Sequence, residues 1–553
     1  MRSTFLLPAV LAISATLVVC GNSTTAIADP LPIPEVCADV PMGHPSGRVR
    51  YFCDCGEGAD SDCVPGSDGA AGVLATPRRS YEAARRTFEA LQAGDTIAFC
   101  RGGAFMQSVG NRWVNARCQA ENRCVVRDYV PTWASGDEGA PIIRTPSRGR
   151  AFSLDDKGRA SQEEGYTFMN LDLRSKSGDR GFFIYNDIDD VDICNVSIDR
   201  FKIGVHVAGS NKKRKPGADG QNDRIVLKHS RITNSPGQGW LGSCDDCAIE
   251  DSYFENNGFE KPKFNHNIYL SDSNKRVAKG MRIVGNELYR SAILNGKCEG
   301  VSLVVHGQKD GLLIEGNLVR EDVGAVGRGC WGIAVDTGYR SGESFRNVVI
   351  RNNRVINVGP VSIGVNACES CLIENNVIVQ NQGLNGRHIA APNRKRDADD
   401  LPMSHVTIRN NSIYVGANSG GIGIKLAEEG TGHRLANNAI LYAGSERWAC
   451  VDASLPASSY ASVGHNVCAA PAKPGADWDM KGGRLADWQA KTSLGAGSRE
   501  SDPGFRSTSA PHDLSAANAS AAMVGAGDPG EASSTDIRGK ARGANPDAGA
   551  YQR

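Results

Sequence analysis

The chain has 553 residues with 62 Lys and Arg against 62 Asp and Glu, so its net charge is zero and favours neither an acidic nor a basic partner. Glycine is abundant, at 64 residues, and aromatics make up only 6%, which suits many tight turns around a thin aliphatic core. Past the first residues no apolar run reaches the length of a membrane span, so a spanning role is excluded.

The N-terminus reads as a secretory signal over residues 1–28. Arg2 gives the positive start, Phe5 to Val19 the apolar run, and Ala26-Ile27-Ala28 the small-x-small cleavage site. Cys20 offers a lipid-anchored alternative, but Val19 is larger than a lipoprotein signal wants before its cysteine. The expected location is therefore secreted or periplasmic. Beyond the signal stand sixteen cysteines, an even number that argues for disulfides in an oxidising compartment. Two C-x-x-C pairs, Cys244/Cys247 and Cys368/Cys371, lie too far apart along the repeat described below to share a zinc ion, so local disulfides are expected.

Residues 29–94 form a cysteine-rich N-terminal region. Tyr81, Ala84, Phe88 and Leu91 fall on one face of a helix over about Ser80 to Gln92, expected to cap the open end of the core that follows.

Residues 95–445 carry an internal repeat. Ile283-Val-Gly-Asn286, Ile314-Glu-Gly-Asn317, Ile350-Arg-Asn-Asn353, Ile373-Glu-Asn-Asn376, Ile408-Arg-Asn-Asn411 and Leu435-Ala-Asn-Asn438 each place an asparagine three positions after an aliphatic residue. The gaps between these asparagines range from 23 residues (Asn353 to Asn376) to 36 (Asn317 to Asn353), which excludes helical repeats of fixed length. Coils of short strands tolerate such insertions at a corner. Asparagine tolerates left-handed backbone angles, so it is expected at the bend, stacked into a hydrogen-bonded ladder. A second strand precedes each copy, as in Ile268-Tyr-Leu270, Leu303-Val-Val305 and Ile333-Ala-Val335. This pattern resembles the pectin-lyase-like superfamily of right-handed parallel β-helices. The resemblance implies an all-β solenoid and names no activity, since lyases, hydrolases, epimerases and tailspikes share it. Residues 446–553, rich in Ala, Gly, Ser and Asp, read as an irregular tail closing the last coil, with disordered stretches.

Aligning the preceding strands by their inward aliphatics predicts two outward rows. The first is His206, Tyr269, Val304, Ala334, Gly364, Ala390 and Gly423; the second is Ala208, Ser271, His306, Asp336, Asn366, Pro392 and Lys425. Small residues beside a polar row suit a groove for an extended chain. His306 and Asp336 fall on neighbouring rungs, so Asp336 is expected to orient His306 as a base; Tyr269 is a second proton carrier. Lys297 is expected to neutralise a uronate carboxylate, the main electrostatic need of β-elimination. His266, Asn267, Asn366, Lys425 and Arg340 are the expected substrate contacts.

Loop cations Lys212 to Lys215, Lys275, Arg276, Lys309, Arg340 and Arg394 to Arg396 are expected to form one basic wall favouring an acidic glycan. Asp245-Asp246 is similar to the paired aspartates of polygalacturonases, but that family's other motifs are missing, as is the epimerase Asp-Pro-His. No metal ligands and no cofactor are predicted; calcium is left open without assigned ligands. The sequence thus points to a monomeric polysaccharide lyase. A glycoside hydrolase and a non-catalytic glycan-binding adhesin remain as alternatives, and no nucleic-acid partner is expected.

Overall fold

The computed structural model describes all residues except 1–34, 45, 108–111, 156–163, 210–219, 272–275, 340–341 and 474–476. The secretory signal, Cys20, Lys212 to Lys215, Lys275 and Arg340 therefore lie outside the described residues.

The described chain is a parallel β-helix. Its first face is a sheet of fourteen strands, from Val49–Phe52 through Thr96–Cys100 and onward to Tyr460–Gly464. Neighbours in this sheet pair in parallel, so each strand is one turn of the coil. The second and third faces are continuous in Asp172–Tyr185 and Ser197–Ala208, two long strands that pass through both. Further along, each coil carries separate short strands, such as Leu318–Arg320 on the second face and Ile333–Val335 on the third. A small fourth sheet, from Val277–Lys279 to Cys368–Glu369, extends the corner where the third face ends. The stack begins at Val49 and reaches Arg499–Glu500, so it overruns the expected limits of 95 and 445 at both ends.

The asparagine ladder stands between the first and second faces. The Nδ2 of Asn286 donates to Asn317 Oδ1 at 3.0 Å, and the same bond recurs from Asn317, Asn353, Asn376 and Asn411, ending with Asn438 on Asn466 at 2.9 Å. Each amide also donates to a strand carbonyl of the coil behind, as Asn353 does to Ile314 at 2.9 Å. Ser252 and Ser230 carry the ladder toward the N-terminus with hydroxyls. The expected backbone role falls one residue earlier. Gly285, Gly316, Asn352, Asn375, Asn410 and Asn437 have the positive φ, and the ladder asparagines do not. In each Asn-Asn doublet the first residue thus turns the chain and the second fills the interior.

A helix, α1, spans Tyr81–Phe88, shorter than expected, with the Ser80 hydroxyl accepting from Ala83 N–H at 3.1 Å. Its buried Tyr81 and Phe88 pack on Trp113, and Phe88 also meets Tyr166. All sixteen cysteines pair, Cys244–Cys247 and Cys368–Cys371 among them, and Cys37–Cys194 ties the N-terminal region to the stack.

The tail does more than close the last coil. Phe505, Leu514, Met523, Ala548, Ala550 and Tyr551 pack on the outer side of the second face, against Val377, Val379, Ala439, Leu441 and Val467. The turning asparagines receive it: Asn375 Nδ2 donates to Thr535 O, Asn410 Oδ1 accepts from Ser533 N–H, and Asn437 Oδ1 from Asp528 N–H.

Candidate functional site

Strand register defines the outward row of the third face. It runs Phe183, His206, Leu241, Tyr269, Val304, Ala334, Gly364, Ala390, Lys425 and Asp452. Lys425 thus pairs beside Ala390, two positions from the expected alignment, and Gly423 leaves the row. The expected floor of small residues is not open. Val304 and Ala334 are buried with Val301 against Tyr269 and Trp331, and a Cβ on Gly364 would strike Asn393. Arg394 lays its guanidinium over Trp331, 4.7 Å from the ring centre.

The polar cluster gathers where the third face ends. His306 Nδ1 lies 2.6 Å from the backbone carbonyl of Asp336 and 3.5 Å from Glu343 Oε1. A carbonyl only accepts, so Nδ1 carries a proton and Nε2 is the nitrogen left to act as a base. A Cβ at Gly338 would come 2.5 Å from Nε2, so only glycine lets the backbone pass this close to the buried ring. The ring packs edge-on to Tyr269 and tilted to Tyr339, with centroids at 5.6 and 5.0 Å. The two tyrosine hydroxyls hydrogen-bond to each other. Burial pushes the Tyr269 phenol well above the usual tyrosine range, with the Tyr339 hydrogen bond adding to it, so Tyr269 stays protonated.

Asp336 does not orient His306 through its carboxylate, as expected; its backbone does. Its Oδ2 is held by Arg394 Nε and Asn393 Nδ2, both at 2.9 Å. Burial raises its pKa, opposed by Arg394, His306 and Asn393. Its Oδ1 and the Asn393 Oδ1 are buried with no hydrogen-bond partner. The carboxylate that faces the imidazole is Glu343, absent from the sequence expectations. It stands just before the short strand Ser344–Arg346, where the sequence carries no periodic signal. Its oxygens accept from Gly307, Gly338 and Tyr339 N–H at 2.7, 2.5 and 2.7 Å. Burial opposes ionisation, but His306 and these N–H groups outweigh it and hold Glu343 as an anion.

The remaining expected residues divide. His266 is buried beside Tyr269, with Nδ1 2.9 Å from Val301 O, and burial takes its pKa down to about 3. Asn267 is fully buried, bonded to Asn257, Ser302 and Tyr289 O, and cannot meet substrate. Asn366 is likewise buried and bonded to Thr337 and Arg394 O. Lys425 is buried against Glu428. Lys297 stands exposed on the Ile293–Cys298 hairpin, and among the described residues no hydrogen bond or ion pair joins it to the cluster. The exposed cation at the cluster is Arg394, bonded to Asp336. The basic wall is broken as well: Lys309 is buried and donates to His306 O, Arg276 pairs with Asp245, and Arg396 with Glu429. Cys298, Glu321 and Cys330 lie close enough for a metal, but Cys298–Cys330 is a disulfide.

No family model and no curated relative matches the chain. Among solved structures it is similar to pectate lyase Pel9A, at 12% identity and a TM-score of 0.42, over 92% of this chain and 98% of that one. The Dettilon tailspike protein gives 12% and 0.41, over 66% of this chain and 64% of the tailspike. An alginate lyase from Paenibacillus sp. str. FPU-7 gives 13% and 0.35, over 66% and 94%. Likenesses of this size carry no argument about activity.

Proposed function

We propose that this is an exported polysaccharide-active enzyme that cleaves a uronic-acid-containing glycan by β-elimination at the His306 cluster. The observation that carries the reading is the held Nδ1–H of His306: it bonds the Asp336 carbonyl beside anionic Glu343, which leaves Nε2 as the candidate base.

In the proposed reaction Nε2 removes the proton beside the uronate carboxylate. The electron pair forms a double bond as the glycosidic C–O bond breaks, and the protonated Tyr269–Tyr339 pair delivers a proton to the leaving oxygen. Arg394, half-exposed over Trp331, takes the neutralising role expected of Lys297. Hydrolysis fits less well. It needs two carboxylates free to serve as acid and base, whereas Asp336 is tied to Arg394 and Asn393 and Glu343 to three backbone N–H groups.

The test is ultraviolet absorbance of unsaturated uronate ends while the protein acts on polygalacturonate, alginate and glucuronan. Rising absorbance that is lost in His306→Gln supports the reading. A flat trace with new reducing ends would point to a hydrolase, and a flat trace without them to a glycan-binding protein.

A further inference from the structure

At the distal end of the third face, four strand spacings or about 19 Å beyond Val304, Lys425 and Asp452 open onto a cleft of about 480 Å³. Arg387 and Arg447 also line it. Arg387 occupies the strand position of Val361 and Ile422, both buried aliphatics, so a guanidinium there departs from the repeat. Among the described residues neither arginine makes a side-chain hydrogen bond or ion pair. Lys425 is 4% exposed, and its partner Glu428 is 58% exposed. Three cations thus face two carboxylates, Glu428 and Asp452, around a recess bordered by the partly exposed Met480.

We infer that this cleft is a carboxylate-binding subsite for an acidic glycan, with Arg387 and Arg447 as the anion clamp and Lys425 as its floor. The inference rests on the reading of the His306 cluster as a glycan site and extends it to a second contact. Arginine pairs recognise carboxylates through paired N–H donors, and Met480 offers an apolar edge to a sugar ring. Arg394 belongs to the His306 cluster, so each of the two sites presents a guanidinium to an acidic chain that reaches both.

Binding is measured by gel retardation in immobilised polygalacturonate, alginate and neutral dextran, with melting curves to verify folding. The wild type should be retarded by at least one acidic polymer and not by dextran. The double variant Arg387→Ala/Arg447→Ala should bind that polymer about tenfold more weakly, and Arg387→Lys/Arg447→Lys should recover part of the loss. Unchanged binding in the alanine pair overturns the subsite while leaving the His306 site standing. Loss of retardation without any turnover by the wild type keeps the subsite and discards the lyase chemistry. A wild type that binds no acidic polymer overturns the inference.

Discussion

The two ends of a coil use polar side chains in opposite ways. Between the first and second faces, the asparagine ladder repeats one solution: every amide donates to the next and to a strand carbonyl, and none is left over. Where the third face ends, nothing repeats. His306, Asp336, Glu343 and Asn393 come from four different segments, and two buried oxygens lack partners. Regularity at one corner supplies rigidity, and at the other two acceptors of the cluster stay unpaired. Buried acceptors without partners reduce stability, so chemistry is the natural reason to retain them.

This contrast is broken first at the irregular corner. His306→Gln should lower turnover about a thousandfold while leaving the melting temperature nearly unchanged; equal losses of both would make His306 structural. At the ladder, Asn353→Ala removes two bonds to backbone carbonyls, two ladder bonds and the acceptor of the Asn317 N–H from a fully buried site. It should cost about 3 kcal/mol in urea unfolding with normal activity per folded molecule. Acid should reach the interior before the ladder. Burial takes His388, which has neither ring nitrogen bonded, down to about 4. Its unfolded value is near 6.5, so the unfolded chain binds the proton first. The stability contribution is complete above about pH 6.5 and is lost as pH falls toward 4, by about 3 kcal/mol at full extent. In His388→Phe that segment of the stability–pH curve should flatten. Glu343→Gln should reduce turnover about tenfold through loss of the anion beside the imidazole. Lys297→Ala should change turnover by less than about twofold, within the scatter expected of an exposed side chain.

The ladder was legible because its signal is local: an aliphatic residue fixes the strand, and an asparagine three positions on fixes the corner. The pairing of the two C-x-x-C motifs followed from the same spacing. Lys425 was misplaced because an inward side chain recurs every two residues. A register slip of two leaves the hydrophobic pattern intact, so Ile422-Gly-Ile424 matched the wrong pair of inward positions. Asp336 follows Val335 on the rung beside His306, but which of its atoms faces the ring depends on Arg394 and Asn393, which come from a loop two coils away. Glu343 gave no pattern, because a carboxylate folded back onto three N–H groups is defined by backbone path rather than by strand period.

The tail strapped along the second face changes how the molecule can come apart. A solenoid unravels most readily from its last turn, where only one neighbour holds each strand. Here the Tyr551 hydroxyl accepts from Arg354, several turns inward, and Ala550 N–H donates to the Ser412 hydroxyl. Peeling of the terminal coils must therefore first undo a clasp anchored near the middle. A protease or a mechanical load arriving at the C-terminal end meets the whole length of that clasp at once, rather than one turn at a time.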